Sequence, residues 1–151
     1  MKQILVLNGP NLNLLGVREP AVYGSDTLGD VERLCREEGQ KLGVAVECRQ
    51  SNHEGQLVDW IQEAGREAAA GKLLGVILNA GAYTHTSIAL HDAIKGSKAT
   101  VIELHISNVH AREAFRHTSW LSPVAAGVMF GFGVAGYALA IDGLAALEQR
   151  Q

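Results

Sequence analysis

Short apolar runs, each closed by polar or glycine-containing segments, alternate along this chain with longer stretches whose apolar residues recur at helical spacing. Ile4 to Leu7 reads as a buried strand. Thr27 to Leu42 reads as a helix, with Leu28, Val31, Leu34, Cys35 and Leu42 as its apolar stripe. Ser25 or Asp26 is placed to cap that helix and Gly43 to end it. Val44 to Cys48 follows as a second strand, and Glu54 to Ala70 as a helix burying Leu57, Ile61, Ala64 and Ala68. The third strand is Leu74 to Leu78, followed by a polar loop and a helix over about Thr86 to Ile94. Thr100 to Ile106 is the fourth strand, and a charged segment runs from Ser107 to His117. Ser122-Pro123 leads to a fifth strand, Ala126 to Phe130, and Gly131-Phe132-Gly133 opens a last helix from Val134 to Glu148.

Strands alternating with helices in this way predict an α/β fold with parallel pairing, right-handed crossovers and helices on both faces. The expected architecture is a flavodoxin-like three-layer sandwich around a five-stranded parallel sheet, with residues 1–151 forming one catalytic domain. In such a sheet, ligands bind beyond the carboxyl ends of the strands. Asn8 to Tyr23, Gln50 to Glu54, Asn79 to Ser87 and His105 to Arg116 are therefore the segments to read for chemistry. The polar residues that helices and turns leave unexplained concentrate in the same segments.

The first connection does not fit the rest. It is roughly 18 residues long, against the 2–6 usual between a strand and its helix. It carries Pro10, Pro20, several leucine and valine side chains able to tuck down, and Arg18 upstream of Tyr23. A linker would be polar and featureless, so this pattern predicts a lid, at about 9–26, that closes over a small molecule.

Composition narrows the partners. A net charge of −3 shows no basic stripe for nucleic acid, and no apolar run is long enough to cross a membrane. The first residues lack the basic start and small-residue cleavage site of a secretory signal, so a cytoplasmic enzyme is expected. Cys35 and Cys48, with no C-x-x-C spacing, read as two reduced thiols. His53, His91, His110 and His117 lack metal-ligand spacing, so no metal is expected. Gly131 to Gly136 fits G-x-G-x-x-G, but too little chain follows for a dinucleotide site, and helix packing explains it better. No cofactor motif remains.

Four groups could carry chemistry. Alternation puts Glu103, His105 and Ser107 on one face of the fourth strand, so Glu103 can orient the His105 ring and favour its imidazolium, a general acid. Tyr23 becomes a base if a cation such as Arg18 stabilises its phenolate. Asn79, Gly81, His85 and Asp92 suit hydroxyl recognition, with His85 and Asp92 on one face if both are helical. Ile106, Ser107, Arg112 and Arg116 suit a carboxylate or a hydroxylated ring. Together these suit loss of water from a small polyhydroxylated keto acid. A flavin-binding or phospho-receiver domain is the rival reading, weakened by Asn8 and Asn79 where a receiver needs acids.

Asn8-Gly-Pro-Asn-Leu-Asn-Leu-Leu-Gly-x-Arg18-Glu-Pro-x-x-Tyr23-Gly, Asn79-Ala-Gly-Ala-Tyr-Thr-His85-Thr-Ser and Glu103-Leu-His-Ile-Ser-Asn-Val-His-Ala-Arg112 resemble, in order, the motifs of the type II 3-dehydroquinate dehydratases. The resemblance spans nearly the whole chain. It implies a hydro-lyase of the shikimate pathway or of quinate breakdown, converting 3-dehydroquinate to 3-dehydroshikimate through an enolate, without cofactor. It also implies Tyr23 as base with Arg18 essential to it, His105 as acid, and Asn11 helping to hold a water against the enolate oxygen. Asn79, His85, Arg116 and a neighbouring subunit's residue matching Asp92 would bind ring hydroxyls. Ile106 and Ser107 would hold the carboxylate, in a dodecamer built from trimers. Two positions depart from the pattern: His91 stands where arginine is common, and Gly96 to Thr100 lacks a frequent proline. The five lysines, Lys2, Lys41, Lys72, Lys95 and Lys98, are all expected at the amino ends of the strands, away from a site at the carboxyl ends.

Overall fold

Apolar strands that must bury both faces pair in parallel and take helices on each side. In the computed structural model, which describes residues 2–150, the strands are β1 (Gln3–Asn8), β2 (Ala45–Gln50), β3 (Leu73–Asn79), β4 (Val101–His105) and β5 (Gly127–Phe130). All pair in parallel, in the order β2-β1-β3-β4-β5. A one-turn helix, α1 (Pro20–Tyr23), interrupts the first connection. The longer helices are α2 (Leu28–Leu42), α3 (Glu54–Ala69), α4 (Ile88–Ser97) and α5 (Ala135–Gln149). Leu5, Leu7, Val76 and Leu78 pack with α3 and α4, whereas Ile4, Val6, Ile77, Ile102 and Leu104 pack with α2 and α5. This is the expected flavodoxin-like sandwich. The strand order reverses at β1 and β3, so the crevice for a ligand lies at their carboxyl ends.

The strands outrun their apolar runs, reaching Asn8, Gln50 and Asn79, because ladder pairing serves the backbone whatever the side chain. Helix starts differ more. Thr27, rather than Ser25 or Asp26, caps α2 in a reciprocal box: its hydroxyl accepts from the Asp30 N–H at 3.2 Å, and the Asp30 carboxylate accepts from the Thr27 N–H at 2.9 Å. Leu42, placed on the apolar stripe by periodicity, is exposed at the helix end, where Gly43 turns the chain at φ 73°. Helix α4 starts at Ile88, with Ser87 accepting from the Leu90 N–H at 2.9 Å. The segment Gly81–His85 is a 3-10 turn, so His85 and Asp92 do not share a helix face.

The strand exits at β1 and β3 are pressed together. A Cβ at Gly9 would stand 2.6 Å from the Ala80 carbonyl oxygen, so only glycine fits there. Gly81 turns at φ 59° beside the Pro10 carbonyl. Only the near half of the first connection tucks in fully: Leu12 and Leu15 are buried, while Val17 is 77% exposed and in α1 only Tyr23 packs, half-buried, against the core. Cys35 is buried and Cys48 half-buried, both as free thiols. Gly136, from the G-x-G-x-x-G match, is buried, and a Cβ there would stand 3.1 Å from Leu104 Cδ1, so the glycine serves helix packing. Among the described residues, no helix is long and apolar enough to cross a membrane.

Candidate active site

Alternation along β4 sends Ile102, Leu104 and Ile106 into the core beneath α5, and leaves Glu103 and His105 on the opposite face. There the Glu103 carboxylate is fully engaged. It lies 2.6 Å from His105 Nε2, and its two oxygens accept from the hydroxyls of Ser119 at 2.9 Å and Ser122 at 2.5 Å. Burial pushes the carboxyl upward, but the hydrogen bonds from His105, Ser122 and Ser119 outweigh it and hold Glu103 below the ordinary carboxylate range. An ionised Glu103 only accepts, so Nε2 carries a proton. The Thr84 hydroxyl lies 3.5 Å from the same nitrogen. Nδ1 has no hydrogen-bond partner among the described residues, leaving it for a ligand. The expected pairing of Glu103 with His105 is therefore present, and both side chains are nearly inaccessible.

Tyr23 ends α1 with Arg18 beside it as expected, and a second guanidinium, that of Arg112, meets its hydroxyl. Arg112 Nη1 donates to Tyr23 Oη at 2.7 Å. Arg18 instead lies over the ring, 5.0 Å from its centroid, and approaches Glu19 at 3.6 Å. The reason is local: Glu19 turns left-handed at φ 40° and Pro20 starts α1, which sets Arg18 against the face of the ring. Arg112 also approaches Glu19 at 3.8 Å and Ser107 Oγ at 3.5 Å, tying the lid to the segment after β4.

The third group is split. Asn79 and His85 face the same cavity as Tyr23 and His105, with Gly81 beside them. His85 Nδ1 donates to the Thr118 carbonyl at 2.7 Å, and Trp120 Nε1 donates to the His85 carbonyl at 3.0 Å. Burial, with smaller contributions from His105 and Arg116, holds His85 below the ordinary imidazole range. The ring is thus neutral near pH 7, and its Nε2 is an acceptor for a hydroxyl. Asp92 lies elsewhere, on the outer side of α4, 73% exposed, beside a groove of about 410 Å³ between α3 and α4. His91, its neighbour, bonds it at 3.1 Å.

Ile106, Ser107, Arg112 and Arg116 all line the Tyr23 cavity. Arg116 is oriented by Glu113 at 2.6 Å. Asn11, expected beside a bound water, is exposed and outside the cavity. It turns left-handed at φ 69°, and its N–H donates to Asn52 Oδ1 at 3.0 Å, which anchors the root of the lid. No lysine lines the cavity. The space itself is about 40 Å³, far below the ~300–1,000 Å³ of ligand pockets. Tyr23 and Arg112 narrow it, and a second cavity of about 240 Å³, lined by His85, Glu103, His105 and Arg116, adjoins it. Among the described residues, no group of three or more His, Cys, Asp or Glu side chains is placed to hold a metal ion.

The family model described as Dehydroquinase class II matches residues 2–145. The chain belongs to that family. A 3-dehydroquinate dehydratase 2 from Ralstonia nicotianae is 74% identical over 144 residues, covering 95% of this chain and 94% of the relative. A 3-dehydroquinate dehydratase from Variovorax paradoxus is 72% identical, covering 95% and 99%. Among solved structures, the type II dehydroquinase from Butyrivibrio crossotus superposes with a TM-score of 0.90 at 45% identity, covering 95% of this chain and 97% of that one. Membership makes the chain an enzyme of the type II 3-dehydroquinate dehydratase kind, a hydro-lyase.

Sequence reading missed what long-range contacts supply. Nothing in the spacing of Ser119 and Ser122 announces that they hold Glu103, and nothing near Tyr23 announces Arg112, 89 positions away. Thr84, 3.5 Å from His105 Nε2, and Leu12, from the buried half of the first connection, also belong to the site.

Proposed function

We propose that the protein dehydrates 3-dehydroquinate to 3-dehydroshikimate by anti elimination through an enolate, with Tyr23 as base and His105 as acid. The observation that carries this reading is the convergence, in one cavity at the β1/β3 crevice, of a phenol bonded to a guanidinium and an imidazole bonded to a buried carboxylate. Tyr23, with the Arg112 guanidinium at its hydroxyl and Arg18 over its ring, takes the proton from the carbon beside the ketone through its phenolate oxygen. The C–H pair becomes the enolate. Its collapse forms the ring double bond and breaks the β-carbon–oxygen bond, and His105 Nδ1 gives the departing hydroxyl its proton. Glu103, anionic and 2.6 Å from Nε2, stabilises the charged ring beforehand and fixes its orientation. Asn79, neutral His85 and Arg116 receive the ring hydroxyls, and the Ile106–Ser107 backbone and the Ser107 hydroxyl hold the carboxylate. Asn11 keeps its role at the enolate's water only in a lid position other than this one.

The rival receiver reading loses further ground, because Asn8 and Asn79 are both bonded to Tyr137. Mixing the protein with 3-dehydroquinate and following the conjugated-enone absorbance tests the proposal. Absence of that absorbance would end it.

Asp92 belongs to the same proposal through assembly. It is exposed, outside the cavity of its own chain, and Ile88 on the same helix is also exposed. In a dodecamer of trimers its carboxylate completes a neighbour's hydroxyl site. Asp92→Ala is expected to raise KM about tenfold, the loss of one charged hydrogen bond, in a particle that native mass spectrometry still finds as a dodecamer. A fully active monomer would refute this part.

A further inference from the structure

The two central strands end on a matched pair of amides. Asn8 of β1 and Asn79 of β3 are register partners. Strand alternation turns both side chains toward the face covered by α5, and one residue of α5 joins them. Tyr137, fully buried, donates its hydroxyl proton to Asn8 Oδ1 at 2.5 Å and accepts from Asn79 Nδ2 at 3.0 Å. Asn79 Oδ1 in turn accepts from the Gly81 N–H at 3.2 Å. Asn8 is also fully buried, and its Nδ2 has no partner, so its side chain depends on Tyr137 alone. Of the three residues, only Asn79 lines the cavity.

We propose that Tyr137 is a positioning residue for substrate binding, which sets the Asn79 amide so that a ring hydroxyl meets one fixed donor and one fixed acceptor. A side-chain amide has two ends of nearly equal shape and opposite polarity, so something must choose between them. Here the Gly81 N–H demands the oxygen at one end. At the other, the single Tyr137 proton is committed to Asn8, leaving its oxygen to accept, which demands the Asn79 nitrogen. A flipped Asn79 would set N–H against N–H at Gly81 and oxygen against a hydroxyl whose proton is taken. In the held orientation Nδ2 keeps a second hydrogen and Oδ1 a second lone pair for the ligand. Burial raises the phenol of Tyr137 above its ordinary range, which keeps the donating proton in place. The hydroxyl sits on a helix that supplies no other group to the cavity, so its effect on substrate runs through Asn79.

The inference rests on the dehydratase reading of the cavity, and its test separates the two. Tyr137→Phe keeps the buried ring and removes only the hydroxyl. KM for 3-dehydroquinate is expected to rise at least about fivefold, the loss of one neutral hydrogen bond, with kcat within about threefold, because a hydroxyl contact serves ground and transition states alike. In an Asn79→Ala background the same change should alter KM less than about twofold, since no amide remains to be set. A merely structural role would lower thermal stability in both backgrounds and leave KM alone. Asn8→Ala, which removes the acceptor of the Tyr137 proton, should reproduce the KM rise and its loss in Asn79→Ala, and it decides the matter if Tyr137→Phe does not fold. The side-chain amide resonances of Asn79 give a readout free of substrate: one slowly exchanging, hydrogen-bonded proton in the wild type, lost in Tyr137→Phe. If the wild type leaves 3-dehydroquinate untouched, the dehydratase reading fails and those resonances alone judge the orientation of Asn79. An unchanged KM with unchanged resonances, or an equal KM effect with and without Asn79, would overturn the inference.

Discussion

Tyr23→Phe is expected to lower kcat by at least about 10², the low end for a general acid–base group, while substrate still binds. The ring stays between Arg18 and Arg112, so packing survives and only the proton acceptor is lost. The companion substitutions separate the two arginines. Arg112 donates directly to the phenol oxygen, whereas Arg18 meets only the face of the ring. Arg112→Ala should therefore lower kcat by about 10–10², as a charged hydrogen bond would, and Arg18→Ala by less. Arg112→Lys should rescue only part, since an ammonium cannot span Tyr23, Ser107 and Glu19 as the planar fork does. Steady-state turnover of the four variants decides it. Near wild-type kcat in Tyr23→Phe would remove that residue as base, and a larger loss in Arg18→Ala than in Arg112→Ala would reverse the order of the two cations.

The second large effect lies on β4. His105→Ala should lower kcat by at least about 10². Glu103→Gln is the finer instrument, because the amide is nearly isosteric and its oxygen still accepts from His105 Nε2. What it removes is the negative charge 2.6 Å from Nε2. A loss of about tenfold or more in kcat is expected. The same substitution should alter acid stability in a defined direction. Hydrogen bonds hold the Glu103 carboxyl below its ordinary range in the folded protein. Its contribution to stability is thus fully present above the unfolded value of ~4.3 and is lost as pH falls through the lower folded value. Urea unfolding between about pH 6 and pH 3 should therefore show a shallower loss in Glu103→Gln than in the wild type. Parallel curves would mean that Glu103 titrates alike folded and unfolded.

The fold was legible because its signals are local. Alternation and helical spacing in a chain of this length dictate a parallel sandwich, and the topology then places the site at the carboxyl ends of the strands. The pairing of Glu103 with His105 was legible for the same reason: two residues on one face of one strand must be neighbours. Arg18 was legible as a cation beside Tyr23, but not that it would meet the ring face while another guanidinium meets the oxygen. A left-handed Glu19 and Pro20 set Arg18 over the ring and left the hydroxyl to Arg112, from the far side of the sheet's carboxyl edge. The serines around Glu103 and the Asn8–Tyr137–Asn79 chain were illegible for the same reason, since they join segments that only the folded sheet brings together. Asp92 marks another boundary: it is exposed and lines no part of its own chain's cavity, so a single chain assigns it no contact with a ligand.

In the proposed mechanism side chains carry out the elimination through a free enolate, with no covalent link between enzyme and substrate. The alternative for the same substrate is a Schiff base, which needs a neutral lysine within the cavity. All five lysines belong to the amino-end side of the sheet: Lys2 bonds Glu148 near the end of α5, Lys41 lies in the last turn of α2, Lys72 precedes β3, and Lys95 and Lys98 precede β4. The decisive measurement is turnover of 3-dehydroquinate with borohydride present, followed by intact-protein mass spectrometry. Activity should survive and the mass should not change; a reduced adduct on any lysine, with matching loss of activity, would contradict the account.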